Sequence, residues 1–265
     1  MTYQVARTLV SALLASTVLA CADGRELPPD WDDPACVALA LSGLPCSSGG
    51  GAQQVVTVRQ IENTSEPAYP GVDARVVVRN VVLTAVDEFD EDGSGRVGGV
   101  WVQDPGGGAW SGVQLYNPVV IPSRTRLVPG DIVDLIGIVD EFVLLNSDGT
   151  PMDRNGTLTE IGAGSVQKVG ETLPPAPATI GESELGTLAS AEPWEGCLVR
   201  IPNVTLSGPY DSRGEAPAAG GFDVADDLYR VPGLAAGVHY AALSGVVTYF
   251  FGFKLLPRGP QDVEP

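Results

Sequence analysis

A β-branched pattern occurs twice in this chain, and no other feature restricts the fold as much. Val78-Arg79-Asn80-Val81-Val82-Leu83-Thr84 is answered by Val199-Arg200-Ile201-Pro202-Asn203-Val204-Thr205-Leu206. Gly130 to Phe142 (GDIVDLIGIVDEF) is answered by Gly237 to Tyr249 (GVHYAALSGVVTY), with the inner glycines Gly137 and Gly245 at similar offsets. β-Branched side chains are stiff about χ1 and pack well on a pleated surface, so such runs favour strands. Their repetition implies two copies of one module. With 33 glycines and 22 prolines among 265 residues, long helices have little room, and the expected fold class is all-β.

In the first copy, strands are expected at Arg75 to Val86, Gly99 to Gln103, Val113 to Tyr116, Asp131 to Phe142 and around Leu158 to Ile161. Pro174, Pro175 and Pro177 then interrupt any sheet, because proline lacks the N–H that a ladder needs. Beyond them Glu182 to Leu188 suits a turn or two of helix before the strand pattern returns. Each copy holds about five strands in roughly 90 residues, which suits a small, partly open barrel of the OB type.

The residues that fill this frame resemble a family, the paired OB-fold modules of bacterial secreted proteins, including those beside extracellular nuclease domains. The resemblance rests on Gly99-Val100-Trp101-Val102-Gln103-Asp104, Ser111-Gly112-Val113-Gln114-Leu115-Tyr116, Val128-Pro129-Gly130-Asp131 and Glu192-Pro193-Trp194-Glu195-Gly196. Phe253-Lys254-Leu255-Leu256-Pro257-Arg258 is similar too, and the likeness covers roughly residues 70 to 263. It implies a binding module, and as an alternative an accessory nucleic-acid-binding module of a nuclease-type system. It does not imply nuclease activity, since no catalytic domain is seen after Pro265.

At the N-terminus, Arg7 precedes an apolar or small run from Leu9 to Ala20, too short to cross a bilayer and of the length of a secretory h-region. Val18-Leu19-Ala20-Cys21 resembles a bacterial lipobox, which implies acylation of Cys21 and a membrane anchor; an ordinary signal cut nearby is the alternative. Ala22 favours the outer membrane or cell surface. Export admits a disulfide between Cys36 and Cys46 within a Pro- and Gly-rich tether, leaving Cys197 as a buried thiol in an apolar run. The resulting organisation is a signal peptide over 1–20, a tether over 21–52, barrels over 53–169 and 179–265, and a proline-rich linker over 170–178.

Fifteen Lys and Arg stand against 33 Asp and Glu, a net charge of −18, which works against binding a phosphate backbone. One histidine, His239, and no Gly-x-Ser-x-Gly elbow leave no nucleophilic triad, and the expected activity is non-catalytic. Asp90-x-Asp92-x-Ser94-Gly95 has the alternating hard oxygens of a calcium loop, making calcium the one cofactor in view. The twelfth position is Trp101 in place of the EF-hand glutamate, and a solvated acidic hairpin explains the same residues. Trp101, Trp110, Tyr249 and Phe251 are the candidate binding face, toward an envelope protein or glycan, although barrel closure accounts for aromatics as well.

Overall fold

Strands dominate the computed structural model, which describes residues 54–89, 98–122, 125–153 and 155–265. The first half runs β1 (Gln54–Val55), α1 (Val58–Glu62), β2 (Arg75–Asp87), β3 (Gly99–Gln103), β4 (Gly112–Tyr116), β5 (Val119–Ile121), β6 (Asp131–Phe142) and β7 (Leu158–Glu171). The second runs β8 (Ala178–Thr179), α2 (Leu188–Ala191), β9 (Leu198–Thr205), β10 (Glu215–Pro217), β11 (Asp223–Ala225), β12 (His239–Tyr249), β13 (Phe253–Leu256) and β14 (Val263–Glu264). The chain is all-β, as its punctuation by glycine and proline dictates.

The two halves share one pairing scheme. In the first, β2 pairs antiparallel with β3 and β3 with β4; β4 runs parallel to β7, β7 antiparallel to β6, and β6 returns to β2. In the second, β10 pairs antiparallel with β11, β11 runs parallel to β13, and β13 and β9 both pair antiparallel with β12. Here the chain just past β9 meets the chain just past β10 at the isolated bridge between Leu206 and Ala218, flanked by backbone hydrogen bonds from Ser207 to Pro217 and from Ala219 to Thr205, where the first half has the β2–β3 ladder. Each half also opens alike, with a two-residue strand laid parallel on its first long strand, β1 on β2 and β8 on β9. α1 follows β1, held by a capping box in which Thr57 and Gln60 satisfy each other's backbone N–H groups.

A left-handed asparagine keeps each long strand facing its core. Val76 and Val78 point inward, and beyond Asn80 (φ 55) the inward positions become Val81 and Leu83. In β9, Val199 and Ile201 give way to Val204 and Leu206 across Asn203 (φ 59). Asparagine is among the few residues with a side chain that enter this region readily. β7 extends to Glu171, well past the expected end near Ile161, and at Gly164 neighbouring backbone comes close. A Cβ on Gly164 would stand 2.7 Å from the Ile136 carbonyl oxygen and 2.7 Å from Leu115.

The halves pack directly on each other. Trp101 and Ala85 share a buried cluster with Leu198, Ala225, Val246 and Leu256. At Gly112 and Gly196 the two backbones touch so closely that a Cβ on Gly112 would lie 2.2 Å from Gly196. Trp110 N–H donates to the Pro193 carbonyl at 2.6 Å, and Leu198 N–H donates to Gln103 Oε1 at 3.1 Å. Arg258, clamped by Asp262, reaches the Thr84 carbonyl at 3.2 Å.

Candidate ligand-binding cleft

Alternation along β3 and β4 divides their side chains between two surroundings. Val100, Val102, Val113 and Leu115 enter the first core, while Gly99, Trp101 and Gln103 on β3 and Gly112, Gln114 and Tyr116 on β4 take the opposite face, toward the second half. One end of that face is sealed. Gln103 donates to Ser111 Oγ at 2.8 Å and accepts from Leu198, and the Gly112–Gly196 contact lies beside it. The other end, with Trp101 directly across from Gln114 and Gly99 across from Tyr116, opens into a cleft of ≈ 380 Å³.

Both halves line this cleft. β6, β7 and the turn after β6 contribute Phe142, Leu144, Leu158 and Glu160, and the second half contributes Asp227, Thr248, Tyr249, Phe250, Lys254 and Leu256. Among the described residues, Asp87, Glu160 and Asp227 bring carboxyl groups to its lining and Lys254 brings an ammonium. Lys254 is already engaged: its Nζ is ion-paired with the buried Glu215 and lies 5.0 Å from the centre of the Phe250 ring. Burial pushes the Asp227 carboxyl above its ordinary range, opposed by a backbone hydrogen bond and by Lys254. Trp101 Nε1 and Gln114 Oε1 are buried with no hydrogen-bond partner. An unmatched donor and acceptor on one wall are an uncommon cost in a folded protein.

Of the aromatic residues singled out from the sequence, the structure brings Trp101 and Tyr249 together in this cleft. They are buried walls, at 4% and 6% exposure, and not an open stacking surface. The Tyr249 hydroxyl donates to Asp153 Oδ2 at 2.5 Å; burial and that bond raise its pKa well above the usual phenol value. Trp110 takes a left-handed φ of 63 at the seam with the second half. Phe251 (φ 56), 45% exposed, meets Phe250 edge to face at 4.9 Å beside the cleft. Gln114, Tyr116, Asp87, Glu160 and Asp227 were not expected; the alternation of β3 and β4 carried the signal for the first two. Cys21, Cys36 and Cys46, and the loop residues Asp90, Asp92 and Ser94, lie outside the described residues.

A second acidic group is buried at the seam. Glu62, at the end of α1, and Glu195, just before β9, are 4% and 2% exposed. Glu195 Oε1 accepts the Thr159 N–H at 2.7 Å, while Glu195 Oε2 and Glu62 Oε1 have no partner. Both carboxyls are held well above the carboxylate range, first by burial and then by neighbouring acids, Glu195 for the former and Glu192 for the latter. Nearby, Glu141 accepts hydroxyl bonds from Thr157 and Thr159 at 2.6 and 2.9 Å. Among the described residues no group of three or more His, Cys, Asp or Glu side chains is arranged to hold a metal ion. Cys197 is a buried free thiol that donates to the Gly108 carbonyl at 3.3 Å.

No family model and no curated protein matches this chain.

Proposed function

We propose that the protein is a non-catalytic binding protein of the cell envelope, anchored by lipid at Cys21 and built from two tandem OB-like modules whose junction receives a glycan or protein partner. The observation that carries this reading is the cleft: aromatic walls, a few polar groups and contributions from both halves are what small-ligand sites have in common. Support for the OB-like character comes from pairing that returns to its starting strand, with β3 and β4 in the position of strands two and three, the ligand-facing strands of that architecture. A net charge of −18 disfavours a nucleic-acid backbone as the occupant. Calcium at Asp90, Asp92 and Ser94 belongs to the reading on spacing alone.

The reading predicts that purified Cys21→Ala protein, which lacks the acyl anchor, is retained by envelope fractions, and that adding Phe250→Ala with Gln114→Ala abolishes retention while the far-ultraviolet circular dichroism stays unchanged. Retention undiminished by the double substitution sinks it. For the anchor, mass spectrometry should find acyl mass on the native protein and none on Cys21→Ala.

A further inference from the structure

The mouth of the cleft is as apolar as its walls. Leu144 and Phe250, which line the cleft, share an adjoining shallow groove with Phe251, and the two phenylalanine rings meet edge to face at 4.9 Å. Leu144 accepts the Met152 N–H at 2.7 Å and Leu145 bridges to Pro151, so Leu145 and Met152 belong to the same turn. These five side chains are between 38% and 57% exposed. Large apolar side chains gathered at the mouth of a cleft mark a surface that something covers.

Taking the cleft as the binding site, we infer that its cover is the chain's own apolar stretch Val37-Ala38-Leu39-Ala40-Leu41, and that a partner gains the cleft by displacing it. The stretch lies outside the described residues, and the place where the described chain begins puts the cleft within its reach. Gln54 pairs with Val76 near the start of β2, and Asp87, at the end of β2, lines the cleft. The eleven residues from Val76 to Asp87 span about 36 Å at the usual strand rise. Leu41 precedes Gln54 by thirteen residues, enough extended chain for about 43 Å. A Cys36–Cys46 bridge would leave that reach intact, because Leu41 stands midway round the loop it closes. A second copy of the protein is a poorer cover, since it brings another net charge of −18 against the first. The tethered stretch carries no charge, and a short flexible linker holds it at an effective concentration of about millimolar, so a weak contact suffices.

The test is photocrosslinking in full-length Cys21→Ala protein with Leu39 replaced by the photoreactive benzoylphenylalanine. Mass spectrometry of the digest should find Leu39 joined to peptides containing Leu144 or Phe250 and Phe251. In a mixture of ordinary and nitrogen-15-labelled protein, the joined peptides should carry the same isotope, and Phe250→Asp with Phe251→Asp should abolish the link. Links between differently labelled peptides overturn the inference in favour of a second copy, and links elsewhere or none overturn it outright. Leu39→Asp with Leu41→Asp should also strengthen retention by envelope fractions severalfold, because affinity is reduced by the fraction of molecules whose site is closed. Retention unchanged by that pair overturns the displacement. A link to the cleft mouth in protein that envelope fractions do not retain supports the cover and removes the binding role, whereas retention without the link does the reverse.

Discussion

Asn80 and Asn203 are the residues on which the strand pattern turns. Each occupies the left-handed region, and each lets the strand's inward positions shift parity without leaving the sheet. For most side chains that conformation costs roughly 1–2 kcal/mol, whereas glycine adopts it freely. Asn203→Ala should therefore lower unfolding free energy by about 1 kcal/mol, and Asn203→Gly should leave it nearly unchanged, as read from urea denaturation midpoints. If the two substitutions cost the same, the role assigned to backbone conformation is wrong. Gly137 imposes a different limit, one of space, since a Cβ there would lie 2.1 Å from Ile161 Cγ2 in a fully buried core. Gly137→Ala should cost about 1–3 kcal/mol, the range for overpacking, seen in the same unfolding experiment.

At the scale of elements, β3 and β4 serve two surroundings at once. Their valines and Leu115 complete the first core, and their other face supplies both the seam and the cleft. The expected strand bounds of Gly99 to Gln103 and Asp131 to Phe142 coincide with β3 and β6, because turn residues flank both in the sequence. β7 escaped in part because glycine normally weakens a strand; here Gly164 is where the Ile136 carbonyl and Leu115 approach. The aromatic candidates divide for the same reason. Trp101 and Tyr249 lie on alternating strands whose inner and outer faces both become buried, so their chemistry was legible and their surroundings were not.

At the scale of the whole molecule, the seam is where protonation couples to stability. Glu62 and Glu195 titrate near 4.5 in an unfolded chain and well above it when folded. The folded state thus binds their protons more tightly, and the sign follows from linkage: stability from these groups is full below about pH 4.5 and is lost as pH rises through the folded-state values. Each proton contributes a slope of at most about 1.4 kcal/mol per pH unit. Unfolding midpoints should fall with rising pH over that window, and Glu62→Gln with Glu195→Gln should flatten the profile. A profile unchanged by the double substitution would mean that other groups set the dependence. Because the two acids lie on opposite sides of the seam, their ionisation should loosen the contact at Gly112 and Gly196 before either core opens.

The sequence by itself determined the all-β class and the doubled strand pattern, because period, β-branching and turn residues are local properties that a chain carries before it folds. The same locality made Asn203 and Gly245 recognisable as counterparts of Asn80 and Gly137. Only the tertiary structure decided which aromatics are walls and which are rim, that Gln114 and Trp101, at paired strand positions, each bury an unmatched polar atom, and that acids from separate parts of the chain meet at one seam. Those facts depend on how one half is placed against the other. That placement is set by close contacts between residues far apart in sequence, Gly112 against Gly196 and Gln103 against Leu198, which no local pattern encodes.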